Sequence, residues 1–164
     1  MDYLKILHED SNLAADFDAL FDFFLLDEPT KRDEVEGRCT FSVDGVAFAR
    51  DGAGCEYHQL EDGSIGYMSS EGEYGRIAES IDDLIYLLVY SICWHDYCDS
   101  SQYTDVGILE SYAKERYAQI TSYTDMDKWE YVVKVLGMPS EANLAAVLQK
   151  FYDAVHREPV YQGF

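Results

Sequence analysis

The chain has 164 residues, 32 of them acidic and 12 basic, which gives a formal net charge of −20 at pH 7. This length is typical of one domain, and a composition that is 48% hydrophobic supplies enough apolar surface for a packed core. So few cations cannot form the basic surface that nucleic acid or an anionic membrane requires, whereas the charge attracts a cationic partner. We therefore expect a single domain over residues 1–164 that binds neither nucleic acid nor membranes.

The N-terminal residues Met1–Asp10 contain one lysine and lack the apolar core of a signal peptide. The longest apolar stretch, Leu84–Trp94, is shorter than the ~20 residues that a membrane-spanning helix needs. Irregularly spaced cysteines without a secretion signal indicate reduced thiols and a cytoplasmic location. The cysteines are Cys39, Cys55, Cys93 and Cys98.

The first predicted element is a helix over Asn12–Leu26, because apolar side chains recur there at helical spacing. Ser11 is the expected N-cap of this helix. We expect Pro29 and the charged run Lys31–Arg38 to end the helix and to form a loop.

Two consecutive hairpins are predicted next. Alternating apolar residues flank Asp44-Gly45, which favours a type I′ turn that pairs Phe41–Val43 with Val46–Phe48. The strands Cys55–Leu60 and Ile65–Ser69 flank the second turn, Glu61–Ser64. In this second hairpin we expect Leu60 to face Ile65, and His58 to face Tyr67. The two hairpins together predict an antiparallel sheet of about four strands.

The second half of the chain has helical periodicity. A helix over Leu84–Trp94 is expected, with Ser80 as its N-cap and acids in the first turn. Further helices are predicted over Val106–Ile120 and Lys128–Leu136, followed by a last helix that Ser140 caps. Helices and strands are thus segregated along the chain, which predicts the α+β class.

Cys93, His95 and Cys98 are the residues whose types could ligate zinc. A structural zinc site needs four ligands, usually from paired knuckles, and no second pair follows Cys98. A buried Cys93 beside a partly exposed His95 is the favoured interpretation, and a small zinc or thiol enzyme is the alternative. Cys55 and His58 are three apart on a predicted strand and therefore point to opposite faces. We expect no catalysis, no metal and no cofactor.

Most of the negative charge lies in the middle of the chain. Residues 51–110 contain 13 acids and a single base, Arg76, for a net charge of −12. Two interpretations are open: a solvated surface that aids solubility, or a docking surface for a basic partner.

The stretch Val46–Leu60 resembles the signature of the SUKH superfamily, which includes a yeast cell-wall regulator type and many bacterial immunity proteins. The residues that match its first turn and following strand are Asp51, Gly52, Gly54, Tyr57 and Leu60. Gly63 and Gly66 match the next turn and strand, and Arg76–Leu88 resembles the helix that follows in those proteins.

This resemblance implies a non-catalytic α+β domain that binds and neutralises a bacterial toxin, often a nuclease or a nucleic-acid deaminase with a basic cleft. Together with the acidic middle segment, it suggests an immunity protein whose carboxylates occupy such a cleft. The candidate contact residues are Asp51, Glu56, Glu61, Asp62, Glu71, Glu73, Asp82 and Asp83, with Tyr57, Tyr67 and Tyr74 as aromatic anchors.

Two alternatives accompany this hypothesis. One is a non-catalytic intracellular scaffold or regulatory domain of the same fold, with endogenous partners. The other concerns assembly: exposed tyrosines and the tail Pro159–Phe164 leave a homodimer open.

Overall fold

The computed structural model describes residues 2–31 and 44–164. Within these residues the chain forms six α-helices and one five-stranded sheet, so the predicted α+β class is confirmed. The helices are α1 (Tyr3–Glu9), α2 (Ser11–Phe21), α3 (Ile81–Ser91), α4 (Val106–Thr121), α5 (Met126–Val135) and α6 (Leu144–Val155). The strands are β1 (Phe24–Lys31), β2 (Gly45–Arg50), β3 (Glu56–Leu60), β4 (Ile65–Met68) and β5 (Tyr74–Ala78).

The sheet is an antiparallel meander in the order β1-β2-β3-β4-β5, one strand more than the sequence predicted. Two of the five strands were not predicted, and one predicted strand, Phe41–Val43, is outside the described residues. Strand β1 occupies part of the predicted first helix and the loop after it, and β5 follows the second predicted hairpin. Helix α2 ends earlier because Asp22 adopts a left-handed conformation with φ +50°. Its N-cap is Asp10 rather than Ser11, since the Asp10 carboxylate accepts hydrogen bonds from the first turn. A short apolar run such as Phe23–Leu26 suits a helix or a strand equally well, and pairing with β2 decides it.

The type I′ turn predicted at Asp44-Gly45 does not form. Such a turn needs a positive φ at its second residue, but Gly45 is an extended residue of β2 that pairs with Leu60. A Cβ atom on Gly45 would lie 2.9 Å from the Leu60 side chain, so glycine allows close packing between the strands here. The predicted first strand, Phe41–Val43, lies outside the described residues.

One turn geometry closes three successive hairpins. In each turn the fourth residue is a glycine with positive φ, namely Gly54 (+80°), Gly63 (+84°) and Gly72 (+95°). Each of these glycines donates its N–H to the carbonyl of the first turn residue, at 2.9–3.2 Å. A type I turn followed by a left-handed glycine bulge has this pattern. The three glycines are nine residues apart, a spacing that the sequence analysis did not detect.

This turn geometry shifts the register of the β3–β4 hairpin by one residue from the prediction. Tyr57 lies opposite Tyr67, and Gln59 lies opposite Ile65. The predicted pairs of Leu60 with Ile65 and of His58 with Tyr67 are therefore wrong. The bulge supplies one residue more than a symmetric turn would, and every partner moves accordingly.

The C-terminal helices agree with the prediction more closely. Ser80 caps α3 by accepting a hydrogen bond from the Asp83 N–H, as predicted. The residues Arg76–Ala78, however, belong to β5 and not to the helix. Helix α6 is capped by Asn143 instead of Ser140. Helices α3 and α6 pack on each other and on β5, so they cover one face of the sheet.

The C-terminal tail lies against β5. The Arg76 N–H donates to the Pro159 carbonyl at 2.7 Å, and the Gln162 N–H donates to the Tyr74 carbonyl at 3.2 Å. Tyr161 is buried against the chain's own core, so this part of the tail is bound within its own chain rather than free for a dimer contact. No helix in residues 2–31 and 44–164 is both long and apolar enough to cross a membrane.

Candidate functional site

The hairpin turns divide the predicted contact residues between two ends of the sheet. The turns Asp51–Gly54 and Ser69–Gly72 lie at one end, which we call the Asp51 end. The turn Leu60–Gly63 lies at the other end with the start of α3, and we call it the Asp62 end. The acidic middle segment is therefore not one continuous surface.

Four of the eleven predicted contact residues are internal to the fold. The exposed fractions are 5% for Asp51, 1% for Glu56, 1% for Tyr57 and 2% for Tyr67. The one-residue register shift places both tyrosines on the helix-covered face of the sheet. These four side chains are therefore not part of the exposed surface of the domain. The remaining seven are Glu61, Asp62, Glu71, Glu73, Tyr74, Asp82 and Asp83.

Glu56 has a structural role on the opposite face of the sheet. Its carboxylate accepts a hydrogen bond from the Arg50 guanidinium at 2.8 Å and lies 3.2 Å from Nε2 of His58. Tyr74, the remaining aromatic candidate, is half-buried against Leu60 and Met68 on this face.

At the Asp62 end, several acids have cationic partners. The Asp62 carboxylate pairs with the buried Arg76 at 2.8 Å, and Asp83 pairs with Lys150 at 2.8 Å. Hydrogen bonds from Ser64, followed by those from Arg76, lower the pKa of Asp62 to about 2. Glu61 and Asp82 are exposed at the same end and form no ion pair with any described residue.

At the Asp51 end, neutral donors hold the buried Asp51 carboxylate. Its Oδ1 accepts hydrogen bonds from the N–H groups of Ala53 (3.0 Å) and Cys55 (2.9 Å). Its Oδ2 accepts one from the Tyr67 hydroxyl at 2.9 Å. Asp51 has no cationic partner in the described part of the chain, in contrast to Asp62.

A cleft of about 470 Å³ opens at the Asp51 end, between the sheet and the helices α2, α4 and α5. We call it the Trp94 cleft. Three carboxylates line it, from Asp22, Asp51 and Asp125. Its aromatic lining comes from Phe21, Tyr57, Trp94, His95 and Tyr123.

Two lining residues of the Trp94 cleft have unusual backbone conformations. Asp22 has φ +50°, and Ile92 has φ +64° with ψ −50°. Positive φ is particularly costly for a β-branched residue such as isoleucine. Among the described residues, these are the two residues other than glycine that have positive φ, and both line the cleft. Strain of this kind is often concentrated at functional sites.

His95 links the Trp94 cleft to the buried Asp51. Its ring stacks on Trp94 with the ring centroids 3.6 Å apart, and its Nε2 lies 3.2 Å from the Tyr67 hydroxyl that donates to Asp51. Partial burial of the ring lowers the pKa of His95 below its ordinary 6.5, and the negative charges of nearby aspartates oppose this only in part. The lowered pKa favours the neutral imidazole, so His95 is a poor source of positive charge beside Asp51.

Four exposed carboxylates lie at the Asp51 end of the sheet. They belong to Asp22, Glu71, Glu73 and Asp96, which we call the acidic rim. None of the four forms an ion pair with another described residue, as the pairs that do occur involve other acids. The lysine that lines the cleft, Lys128, is held by Asp16 at 3.1 Å. The rim is thus the less neutralised of the two acidic regions.

The thiols of Cys93 and Cys98 are held in the protonated form by burial. Burial raises the pKa of Cys93, and it raises the pKa of Cys98 to about 12. Cys55 is a buried free thiol, and Cys39 lies outside the described residues. Over residues 2–31 and 44–164, no three His, Cys, Asp or Glu side chains are grouped so as to hold a metal ion.

Sequence reasoning missed most of the Trp94 cleft. Asp22, Tyr123 and Asp125 were not candidates, because each belongs to a helix end far from Asp51 in the chain. A signal was present for Asp125, which precedes the predicted helix Lys128–Leu136 and caps α5. Asp22 gave none, because it lay inside the predicted first helix. Which boundaries meet is decided by the packing of α2, α4 and α5.

Comparisons with protein-family models, with curated proteins and with solved structures found no match to this chain.

Proposed function

We propose that the chain is an immunity protein that binds and neutralises a cationic protein toxin in the bacterial cytoplasm. The observation that carries the proposal is the acidic rim, whose exposed carboxylates have no cationic partners in the described part of the chain. A basic nuclease or nucleic-acid-modifying toxin binds phosphates in its cleft, and carboxylates can occupy the same positions. The resemblance to SUKH immunity proteins supports the same function.

Electrostatics and shape agree in this region. An uncompensated negative surface accelerates the association of a positive partner, by roughly 10–10³-fold at low salt. Exposed aromatic side chains commonly anchor protein interfaces, and Tyr123 at the Trp94 cleft is 72% exposed. We therefore assign the partner to the Asp51 end, with Glu71 and Glu73 from the predicted set as contact residues.

Co-expression with the product of the adjacent gene tests the proposal. We expect that product to be toxic alone, and we expect survival together with co-purification of a stable complex when this chain is present. Toxicity without rescue, or no toxicity, would contradict the immunity function and would favour the scaffold alternative.

A matched pair of charge variants tests the assignment to the Asp51 end. Glu71→Lys/Glu73→Lys should slow association with the toxin and weaken the complex, most strongly at low salt. Glu61→Lys/Asp82→Lys changes the net charge by the same amount at the Asp62 end and should leave association nearly unchanged. Equal effects of the two double variants would show that only total charge matters.

A further inference from the structure

The Trp94 cleft has the size and the lining of a binding site. Its volume of about 470 Å³ falls within the range of roughly 300–1,000 Å³ that is typical of ligand pockets. Both polar and aromatic side chains line it, so it is not a purely apolar packing defect. It is also open to solvent on the side of the exposed Tyr123.

The carboxylates that line the cleft favour the binding of a positively charged group. The carboxylates of Asp22, Asp51 and Asp125 line it, and Lys128 is already paired with Asp16. Asp51 is nine-tenths buried, and all of its hydrogen-bond donors are neutral. A buried carboxylate without a cation is costly, and a positive group placed nearby lowers that cost.

The geometry favours a guanidinium over an ammonium group. One oxygen of Asp22 accepts the Gly52 N–H at 2.8 Å, which leaves its other oxygen for a ligand. The aromatic ring of Tyr123 is exposed beside these carboxylates. A planar guanidinium can stack on an aromatic ring while it donates hydrogen bonds to carboxylates, and a lysine ammonium cannot do both as well.

We infer that the Trp94 cleft is a binding site for the guanidinium of an arginine side chain. The identification of that arginine as one of the toxin rests on the proposed function, whereas the affinity of the cleft for a guanidinium does not.

An NMR titration of the full chain with Nα-acetyl-arginine methyl ester tests the inference. The chain has two tryptophans: Trp94 lines the cleft, and Trp129 donates its indole N–H to the Val89 carbonyl at a separate pocket. We expect a saturable shift of the Trp94 indole N–H signal and none of the Trp129 signal. The uncharged citrulline analogue should bind at least about tenfold more weakly, because it lacks charge-assisted hydrogen bonds. Equal binding of the two compounds, or equal shifts of both indoles, would overturn the inference.

The double variant Asp22→Asn/Asp125→Asn supplies a second test. Asparagine tolerates the left-handed conformation at position 22 and can cap α5 at position 125, so the fold is retained while two charges are lost. We expect affinity for the arginine ester to fall roughly tenfold. The control Asp2→Asn/Asp105→Asn removes two helix-capping charges outside the cleft and should not change the affinity for the ester. An unchanged affinity of the cleft variant would overturn the inference.

The two proposals fail separately. The titration uses this chain alone, so its result does not depend on any toxin. If the cleft binds the arginine ester but the chain does not rescue cells from the toxin, the guanidinium site is supported and the immunity function is contradicted. If the chain rescues cells but its cleft does not bind the ester, the immunity function is supported and the guanidinium site is overturned.

Discussion

The hairpin turns at the two ends of the sheet share one backbone geometry, but the aspartate in each turn is stabilised differently. At the Asp62 end, an exposed aspartate in the turn is paired with the buried Arg76. At the Asp51 end, a buried aspartate in the equivalent hairpin turn is held by two N–H groups and a tyrosine hydroxyl. The backbone geometry of the turn is common to both, so it does not explain the difference.

The difference arises from what packs beside each turn. The guanidinium of Arg76 reaches the Asp62 turn from β5 and neutralises the Asp62 carboxylate. Aromatic residues and helix ends surround the Asp51 turn instead, which leaves its negative charge uncompensated by the described residues. The distribution of acids along a chain therefore predicts the electrostatic surface poorly, because ion pairs in the folded chain decide which acids stay uncompensated.

The first prediction concerns the C-terminal tail that lies against β5, where we expect the greatest loss of stability. A Cβ atom on Gly75 would lie 2.1 Å from Cα of Tyr161, so Gly75→Ala must displace the tail. Tyr161 packs against Tyr67 and Trp94, and its release should lower the free energy of unfolding by roughly 3 kcal/mol. Urea denaturation measures this loss, and limited proteolysis detects the released tail.

Gly63→Ala is the control for this variant at the Asp62 end. Gly63 also has positive φ, but no atom lies within 4 Å of the position of its Cβ. Only backbone strain of about 1–2 kcal/mol is expected. A tail that stays protected from protease in Gly75→Ala would contradict the close approach.

The second prediction compares the two turn aspartates directly. Asp51→Ala removes the acceptor of three hydrogen bonds in a buried environment, and we expect a loss of about 2–3 kcal/mol in unfolding free energy. Asp62→Ala removes a partly exposed ion pair and should cost about 1 kcal/mol. Chemical denaturation at pH 7 measures both. A larger loss for Asp62→Ala would contradict this difference between the two turns.

The third prediction concerns pH. The folded pKa of Asp62, about 2, is below its ordinary value of 3.8. Ionised Asp62 therefore adds stability above about pH 4, and this contribution disappears as the pH falls from about 4 to about 2. The stability difference between the wild type and Asp62→Asn should narrow over that range when urea unfolding is measured at several pH values. A difference that stays constant between pH 4 and pH 2 would contradict the lowered pKa of Asp62.

The fourth prediction concerns an exposed ion pair of the Asp62 end. Lys150→Met breaks the ion pair between Lys150 and Asp83. The Lys150 side chain is largely exposed to solvent. We expect a change in unfolding free energy of about 0.5 kcal/mol or less. Lys114→Met removes a lysine that has no ion pair with a described residue and serves as the control. A loss above about 2 kcal/mol for Lys150→Met would mean that this pair does more than neutralise surface charge.

Local patterns predicted the helices better than the strands. The helix α3 and its Ser80 cap followed from an apolar run behind a capping residue, which are nearest-neighbour features. Strand β1 did not follow, because Phe23–Leu26 has the spacing of a helix and only pairing with β2 makes it a strand. The hairpin turn at Glu61–Ser64 was located correctly, yet its register was off by one because a glycine bulge alters the count.

The candidate site shows the same division. Composition alone identified an excess of acid and its concentration in residues 51–110. Only the folded chain showed that Asp51 and Glu56 are buried and that Asp62 is paired with a cation. Only the packing of helix ends brought Asp22 and Asp125 to the same cleft as Asp51. The physical reason is range: charge, caps and turn glycines act over a few residues, whereas burial, ion pairing and clefts depend on segments that are far apart in the chain.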